Sequence, residues 1–143
     1  MKCKILIDQE HAEEVLIYTH QKSPLTNAIQ ELCESNALEL VGYVEKEMVR
    51  LDLIDVYCFV VEENKVYALY EQEKFQMKCR LYELQEQLPQ HFVKINQSCI
   101  ANLKKIERFN AAISGSLDVT FKNGYTEYIS RRQLKIVKER LGL

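Results

Sequence analysis

The spacing of apolar and polar positions along this 143-residue chain changes period several times, and each change predicts an element. Lys2–Asp8 alternates, with Cys3, Ile5 and Ile7 on one side, the period-2 signature of a strand. Glu14–Thr19 is rich in β-branched and aromatic residues and predicts a second strand. Ser23-Pro24 then opens a helix. Serine suits the cap, and proline suits the first helical position, where its missing N–H costs nothing. Leu25, Ala28, Ile29, Leu32 and Cys33 follow at helical spacing as one apolar stripe, and the pattern fades at Ser35-Asn36. Residues 1–36 therefore predict a small β-β-α unit whose stripe needs a partner surface.

From Leu38 the period is that of strands. Leu38–Glu45 contains Gly42, a candidate bend or bulge. Glu47–Leu51 is a half-buried strand, residues 53–56 a turn, and Tyr57–Val61 an apolar run fit for the centre of a sheet. Glu62–Lys65 turns the chain and Val66–Tyr70 pairs back. Phe75, Met77 and Cys79 alternate with Lys74, Gln76 and Lys78, and Leu81, Leu84 and Leu88 then line a short helix that Pro89 ends. Phe92–Ile95 predicts a strand, Ser98–Asn102 a tight or helical turn, and Lys104–Phe109 a further strand. The clearest hairpin is Leu117–Ile129, where Asn123-Gly124 predicts a type I′ turn. Ser130-Arg131-Arg132-Gln133 has the form of a capping box. Leu134, Val137 and Leu141 give the last helix its buried face, with Arg131, Lys135 and Lys138 on a cationic stripe elsewhere.

Composition changes this picture in one respect. The net charge of -2 hides an asymmetry: residues 1–91 carry 9 Lys/Arg against 17 Asp/Glu, and residues 92–143 carry 10 against 4. A basic third on an acidic remainder suits a local polyanion surface, although two halves that neutralise each other inside one fold would read the same way. The length fits one domain with a small appendage, and no run of about 18 apolar residues predicts a membrane span. Met1–Asp8 is too short and too soon acidic for a signal peptide. The five cysteines, Cys3, Cys33, Cys58, Cys79 and Cys99, are odd in number and never closely spaced, which suits a reducing cytoplasm.

Catalytic patterns are not legible. His11, His20 and His91 have no metal-ligand spacing, and no phosphate loop, nucleophile elbow or dinucleotide glycine pattern occurs among four glycines. Adjacent Glu62 and Glu63 would point to opposite faces of a strand and flank a turn more naturally than they form an acid/base pair. Cys99 has no local base or orienting group, so it reads as a small packed thiol. The chain is thus expected to be non-enzymatic, with no metal, cofactor or small-molecule substrate.

Binding chemistry is better represented, and it gathers around Phe92–Leu103. There Lys94, Asn96, Gln97 and Ser98 lie between the apolar anchors Phe92, Val93, Ile95, Ile100 and Leu103. With Arg131 and Arg132 they supply the usual vocabulary, cations for guanine and phosphate and amides for adenine. Two arginines in a first helical turn oppose the helix dipole, which makes sense if an anion docks there. A solvated pair extending the cap explains them more simply.

The ordered combination Phe92-x-Lys94-x-Asn96-Gln97-Ser98-x-Ile100-x-Asn102-Leu103-x-x-Ile106, Leu117-x-Val119-x-Phe121-x-Asn123-Gly124 and Ile129-Ser130-Arg131-Arg132 resembles the LytTR DNA-binding domain of bacterial transcription regulators. The resemblance covers roughly residues 38–141, and the whole chain is similar to stand-alone members that lack a receiver domain. It implies a mainly β, α+β fold, an elongated arrangement of β-sheets with little helix. Loops rather than a recognition helix enter successive major grooves. Dimers sit on direct repeats, and many stand-alone members are restrained by a small membrane protein. By position, the base-reading residues fall at Lys65, at Gln97 with Asn96, and at Arg132. Lys94, Ser98, Lys104, Lys105, Arg131, Lys135 and Lys138 supply phosphate contacts. Asn102 is expected to satisfy backbone groups instead. The family often has His and a cation where this chain has Asn96 and Gln97, which implies weaker phosphate attraction there and a shifted base preference.

The expectation is a cytoplasmic regulator that binds double-stranded DNA as a homodimer. Residues 37–143 form its DNA-binding domain, and residues 1–36 an extension for dimerisation or partner contact, against the simpler alternative that its helix packs on its own sheet. The rival is a non-catalytic protein-interaction module whose basic region is only a surface.

Overall fold

The computed structural model describes residues 2–34, 39–111 and 115–142. The chain divides into two compact units, Met1–Ala37 and Leu38–Leu143.

In the first unit, the Ser23 N–H donates to Thr26 Oγ1 at 2.8 Å and the Thr26 N–H donates to Ser23 Oγ at 3.2 Å. This reciprocal cap starts helix α1 (Pro24–Glu34) with the proline at its first position. The two expected strands do not form: no ladder joins Lys2–Asp8 to Glu14–Thr19. A strand exists only with a partner, and two short strands alone are marginal in water. The β-β-α expectation is corrected to irregular chain followed by one helix. The helix stripe is not covered either, since Leu25 and Leu32 are exposed.

The second unit is built on a seven-stranded sheet in the order β2-β1-β5-β4-β3-β7-β6. The strands are β1 (Leu40–Val44), β2 (Glu47–Leu51), β3 (Cys58–Glu62), β4 (Lys65–Leu69), β5 (Lys74–Met77), β6 (Phe92–Asn96) and β7 (Cys99–Asn102). A second sheet holds β8 (Ile106–Ala111), β9 (Leu117–Phe121) and β10 (Thr126–Ile129) in the order β10-β9-β8. Every described pairing is antiparallel. Helix α2 (Leu81–Gln87) precedes β6, and α3 (Arg131–Leu141) closes the fold. The mainly β, α+β expectation holds.

The central strands are buried on both faces, which is why Tyr57–Val61 reads as an uninterrupted apolar run. Phe59 and Ile100 join Val66, Phe75, Leu81, Leu84 and Phe92 in one core, which includes α2. Cys58, Val60, Cys99 and Ala101 join Ile95, Val119, Phe121, Ile129 and Val137 in the other, which packs the second sheet and α3 against the first.

Three local expectations change. Cys99–Asn102 is not a turn but β7, held between β3 and β6 by ladders on both sides. Gly42 makes no bulge. It pairs regularly with Val49, and its missing side chain matters because a Cβ there would lie 2.6 Å from Phe75 Cβ. The type I′ turn is not at Asn123-Gly124. There only Gly124 has positive φ (87°), in a three-residue loop closed by the Phe121 N–H donating to the Tyr125 carbonyl at 2.8 Å. The two-residue loop with both φ positive is Glu63 (49°) and Asn64 (64°), between β3 and β4.

Candidate nucleic-acid interface

Four chain segments meet at one end of the large sheet. Glu62 and Lys65 are cross-strand partners at the β3–β4 tip, and Lys65 is exposed. The Val61 N–H donates to the Ser98 carbonyl at 2.9 Å, which brings the β6–β7 turn (Gln97-Ser98, both exposed) beside that tip. The Ser130 N–H donates to the Ile95 carbonyl at 2.8 Å, so α3 begins beside the same turn with Arg131 and Arg132 exposed in its first turn. A Cβ placed on Gly115 would lie 3.8 Å from an Arg131 guanidinium nitrogen, so the end of the β8–β9 connection arrives there too.

Asn96 is the hub of this end. It is 1% exposed. Its Nδ2 donates to Glu127 Oε1 at 3.0 Å and to the Tyr128 carbonyl at 2.8 Å, while its Oδ1 accepts the Ser98 N–H at 2.8 Å. Both functional ends of the amide are thus engaged inside the protein. The assignment of Asn96 to base reading is therefore corrected, because an amide buried in such a network has no edge left to offer a base. Gln97, one residue on, is exposed.

The expected phosphate contacts separate into groups. Ser98, Arg131 and Arg132 lie at this end, Lys135 one helical turn further along α3, and half-buried Lys94 on β6. Lys138 lies deeper along α3, roughly 9 Å from Arg132 at 1.5 Å per residue. Lys104 and Lys105 do not join the others. They follow β7 as it runs away from the Gln97 turn, and the Leu103 N–H donates to the His91 carbonyl, ahead of β6, at 2.8 Å. Lys105 Nζ instead lies 5.1 Å from the centre of the Tyr57 ring. Asn123-Gly124 is at that far end too, with Asn123 Nδ2 donating to the Tyr70 carbonyl at 3.1 Å.

Asn102 behaves as expected. It is buried, its Nδ2 donates to the Val56 carbonyl at 2.8 Å, and its Oδ1 accepts the Lys104 N–H at 3.1 Å. Ser130 occupies the cap position of α3, but its hydroxyl makes no capping bond, so the expected capping box is absent. The first turn of α3 thus lacks a side-chain cap from Ser130, an arrangement open to an anion.

Sequence reasoning missed Glu127 and Tyr125. With Ile129 they share the inner side of β10 and its approach, at alternate positions. Tyr125 Oη donates to Glu127 Oε2 at 3.0 Å. Burial, reinforced by this carboxylate, holds the phenol protonated far above its usual range. Only the period-2 spacing of residues 125, 127 and 129 hinted that the glutamate faces inward. Cys99 is fully buried, and its hydrogen bond with Cys58, followed by burial, pushes its thiol well above its ordinary pKa. This is opposite to what a nucleophile needs.

Comparison with known proteins agrees with this fold. The LytTr DNA-binding domain model matches residues 46–142, and the chain belongs to that family. A Staphylococcus aureus (strain MSSA476) protein named as an uncharacterized HTH-type transcriptional regulator is 36% identical over 149 residues, covering 100% of this chain and 99% of the relative. A protein with the same kind of name from strain NCTC 8325 / PS 47 is 40% identical over 119 residues, 83% of this chain and 80% of the relative. A solved LytTr DNA-binding domain from Bacillus cereus superposes with a TM-score of 0.69 over 73% of this chain and 97% of that one, at 18% identity. The "HTH-type" in the relatives' names does not describe this fold, because no two described helices are joined by a short turn. No described helix is long and apolar enough to cross a membrane.

Proposed function

We propose that this protein is a sequence-specific DNA-binding transcription regulator that reads the major groove with turns at one sheet end. The observation that carries the reading is convergence: Lys65, Gln97 and Arg132, far apart in sequence, lie on segments joined by the Val61–Ser98 and Ser130–Ile95 hydrogen bonds. Membership of a DNA-binding family and relatives named as transcriptional regulators support it.

Lys65, Gln97 and Arg132 probe base edges. Arg132 suits guanine, and Gln97 suits adenine. Ser98, Arg131, Lys135 and Lys94 hold phosphates, and the first turn of α3 adds backbone donors for one. Lys138 adds diffuse attraction, and Lys104 and Lys105 contribute at most to the long-range field. Family likeness alone supports dimeric binding to repeated sites in the cytoplasm and restraint by a small membrane protein. The unit of residues 1–37 is the candidate for dimer or partner contact, favoured by its exposed Leu25 and Leu32.

Selection of bound duplexes from a random pool, followed by a salt titration on the winner, tests the reading. The expected result is a preferred sequence with log affinity falling linearly in log salt, by roughly 10³–10⁵ between 50 and 200 mM for 6–10 phosphate contacts. No duplex binding at 50 mM salt would leave the interaction-module reading standing in its place.

A further inference from the structure

The carboxylate of Glu127 lies on the side of the molecule proposed to meet a polyanion. Carboxylates repel phosphates, so its presence there calls for a role within the protein. Its contacts supply one. Glu127 Oε1 accepts from Asn96 Nδ2 at 3.0 Å and from the Tyr128 N–H at 3.2 Å, and Oε2 accepts from Tyr125 Oη at 3.0 Å. Asn96 in turn holds the Ser98 N–H and the Tyr128 carbonyl. One continuous chain of bonds therefore runs from the second sheet, through Glu127 and Asn96, into the turn that presents Gln97. Two residues beyond Tyr128, Ser130 leads into the helix that presents Arg132.

We propose that Glu127 and Asn96 are a positioning pair that fixes the Gln97 turn relative to the start of α3, and so sets which base sequence the two can read together. The inference rests on the DNA-reading proposal. The physical reason is spacing. Two side chains that read bases along one groove must keep a fixed separation, and a base contact tolerates only a few tenths of an ångström. The Gln97 turn joins two strands of the large sheet and α3 follows the last strand of the small one, so backbone ladders inside each sheet do not fix their offset. Beyond the core packing, Ser130–Ile95 and the bonds of Asn96 are polar links between them. Phosphate contacts are less demanding, because a cation attracts a phosphate over several ångströms. Loosening the pair should therefore erode specificity before affinity.

Three variants of the full chain test this: Glu127→Ala, Asn96→Asp, and a double variant that combines Asn96→Asp with Glu127→Gln. Asn96→Asp keeps the acceptor for the Ser98 N–H but sets a carboxylate against both Glu127 and the Tyr128 carbonyl. The double variant restores the bond between residues 96 and 127 with reversed polarity, the introduced glutamine amide donating to the introduced aspartate carboxylate, and leaves the Tyr128 carbonyl without its donor. Affinity is measured for the selected duplex and a scrambled one across salt, alongside thermal melting and amide exchange at Ser98. For Glu127→Ala and Asn96→Asp the expected result is a specific-to-scrambled ratio at least tenfold lower, while scrambled-duplex affinity only follows the change in charge, rising slightly in Glu127→Ala and falling slightly in Asn96→Asp. The double variant should recover part of the ratio. Exchange at Ser98 should quicken in Glu127→Ala, although residue 127 does not touch that amide.

A folded Glu127→Ala protein that keeps both its ratio and its Ser98 protection overturns the inference. So does equal loss on both duplexes, which would mark a merely structural role. If Asn96→Asp fails to fold, Glu127→Ala decides alone. If the wild type prefers no sequence, the DNA reading itself fails, and unchanged Ser98 exchange in Glu127→Ala would still refute the coupling independently.

Discussion

The Ser130 backbone N–H donates to the Ile95 carbonyl at 2.8 Å, tying the cap residue of the last helix to the end of strand β6. Thirty-five positions separate the two residues, yet this bond places the start of the helix that carries Arg132 beside the end of the strand that leads into Gln97. In the proposed reading neither element recognises DNA alone. The helix N-terminus provides cations and backbone N–H groups, and the turn provides an outward amide.

Arg132→Ala should cost on the order of 1–3 kcal/mol on the selected duplex and relax specificity at one position, while Lys138→Ala should weaken all sequences about equally. Fluorescence anisotropy with the selected and scrambled duplexes separates the two. An Arg132→Ala protein with undiminished specific affinity would remove that residue from base reading.

The tip between β3 and β4 places Glu63 and Asn64 at φ 49° and 64°, a conformation that glycine and asparagine adopt more cheaply than glutamate does. Replacing the pair by Asn-Gly should raise stability by about 1 kcal/mol. It also removes an acid from beside Lys65, so scrambled-duplex affinity should rise. Urea melts and binding at low salt check both halves.

Gly42→Ala should be destabilising by about 1–3 kcal/mol, because the new methyl group would meet Phe75 Cβ at 2.6 Å and that atom cannot swing away. Thermal melting would reveal it. An unchanged melting temperature would mean that β1 and β5 separate easily.

His91 is held neutral below its ordinary pKa, by burial first and by the charge of Lys104 second. The folded state then binds fewer protons than the unfolded state over the window just below the imidazole's normal value of about 6.5. Stability should be full above that pH and decline as pH falls through the lowered folded-state value. Replacing His91 with Gln should flatten this part of the curve. Denaturant melts between pH 7 and pH 5 give the comparison.

Much of this protein was legible in its sequence because local chemistry decided it. The period-2 runs fixed most strands of the second unit, Ser23-Pro24 fixed the start of α1, and Pro89 the end of α2. The ordered match around Phe92–Leu103, Asn123-Gly124 and Ser130–Arg132 identified the family, since it reflects residues that pack and turn in a set order. Other features depended on partners distant in the chain. Cys99–Asn102 has weak strand propensity and became a central strand because β3 and β6 take its hydrogen bonds on both sides. Lys2–Asp8 and Glu14–Thr19 have strong propensity and form no ladder, for want of a partner. Asn96 and Gln97 are adjacent amides with the same chemistry on paper. Only tertiary packing separates them, turning one inward to Glu127 and the Tyr128 carbonyl and the other outward, because successive positions at the end of a strand face opposite ways.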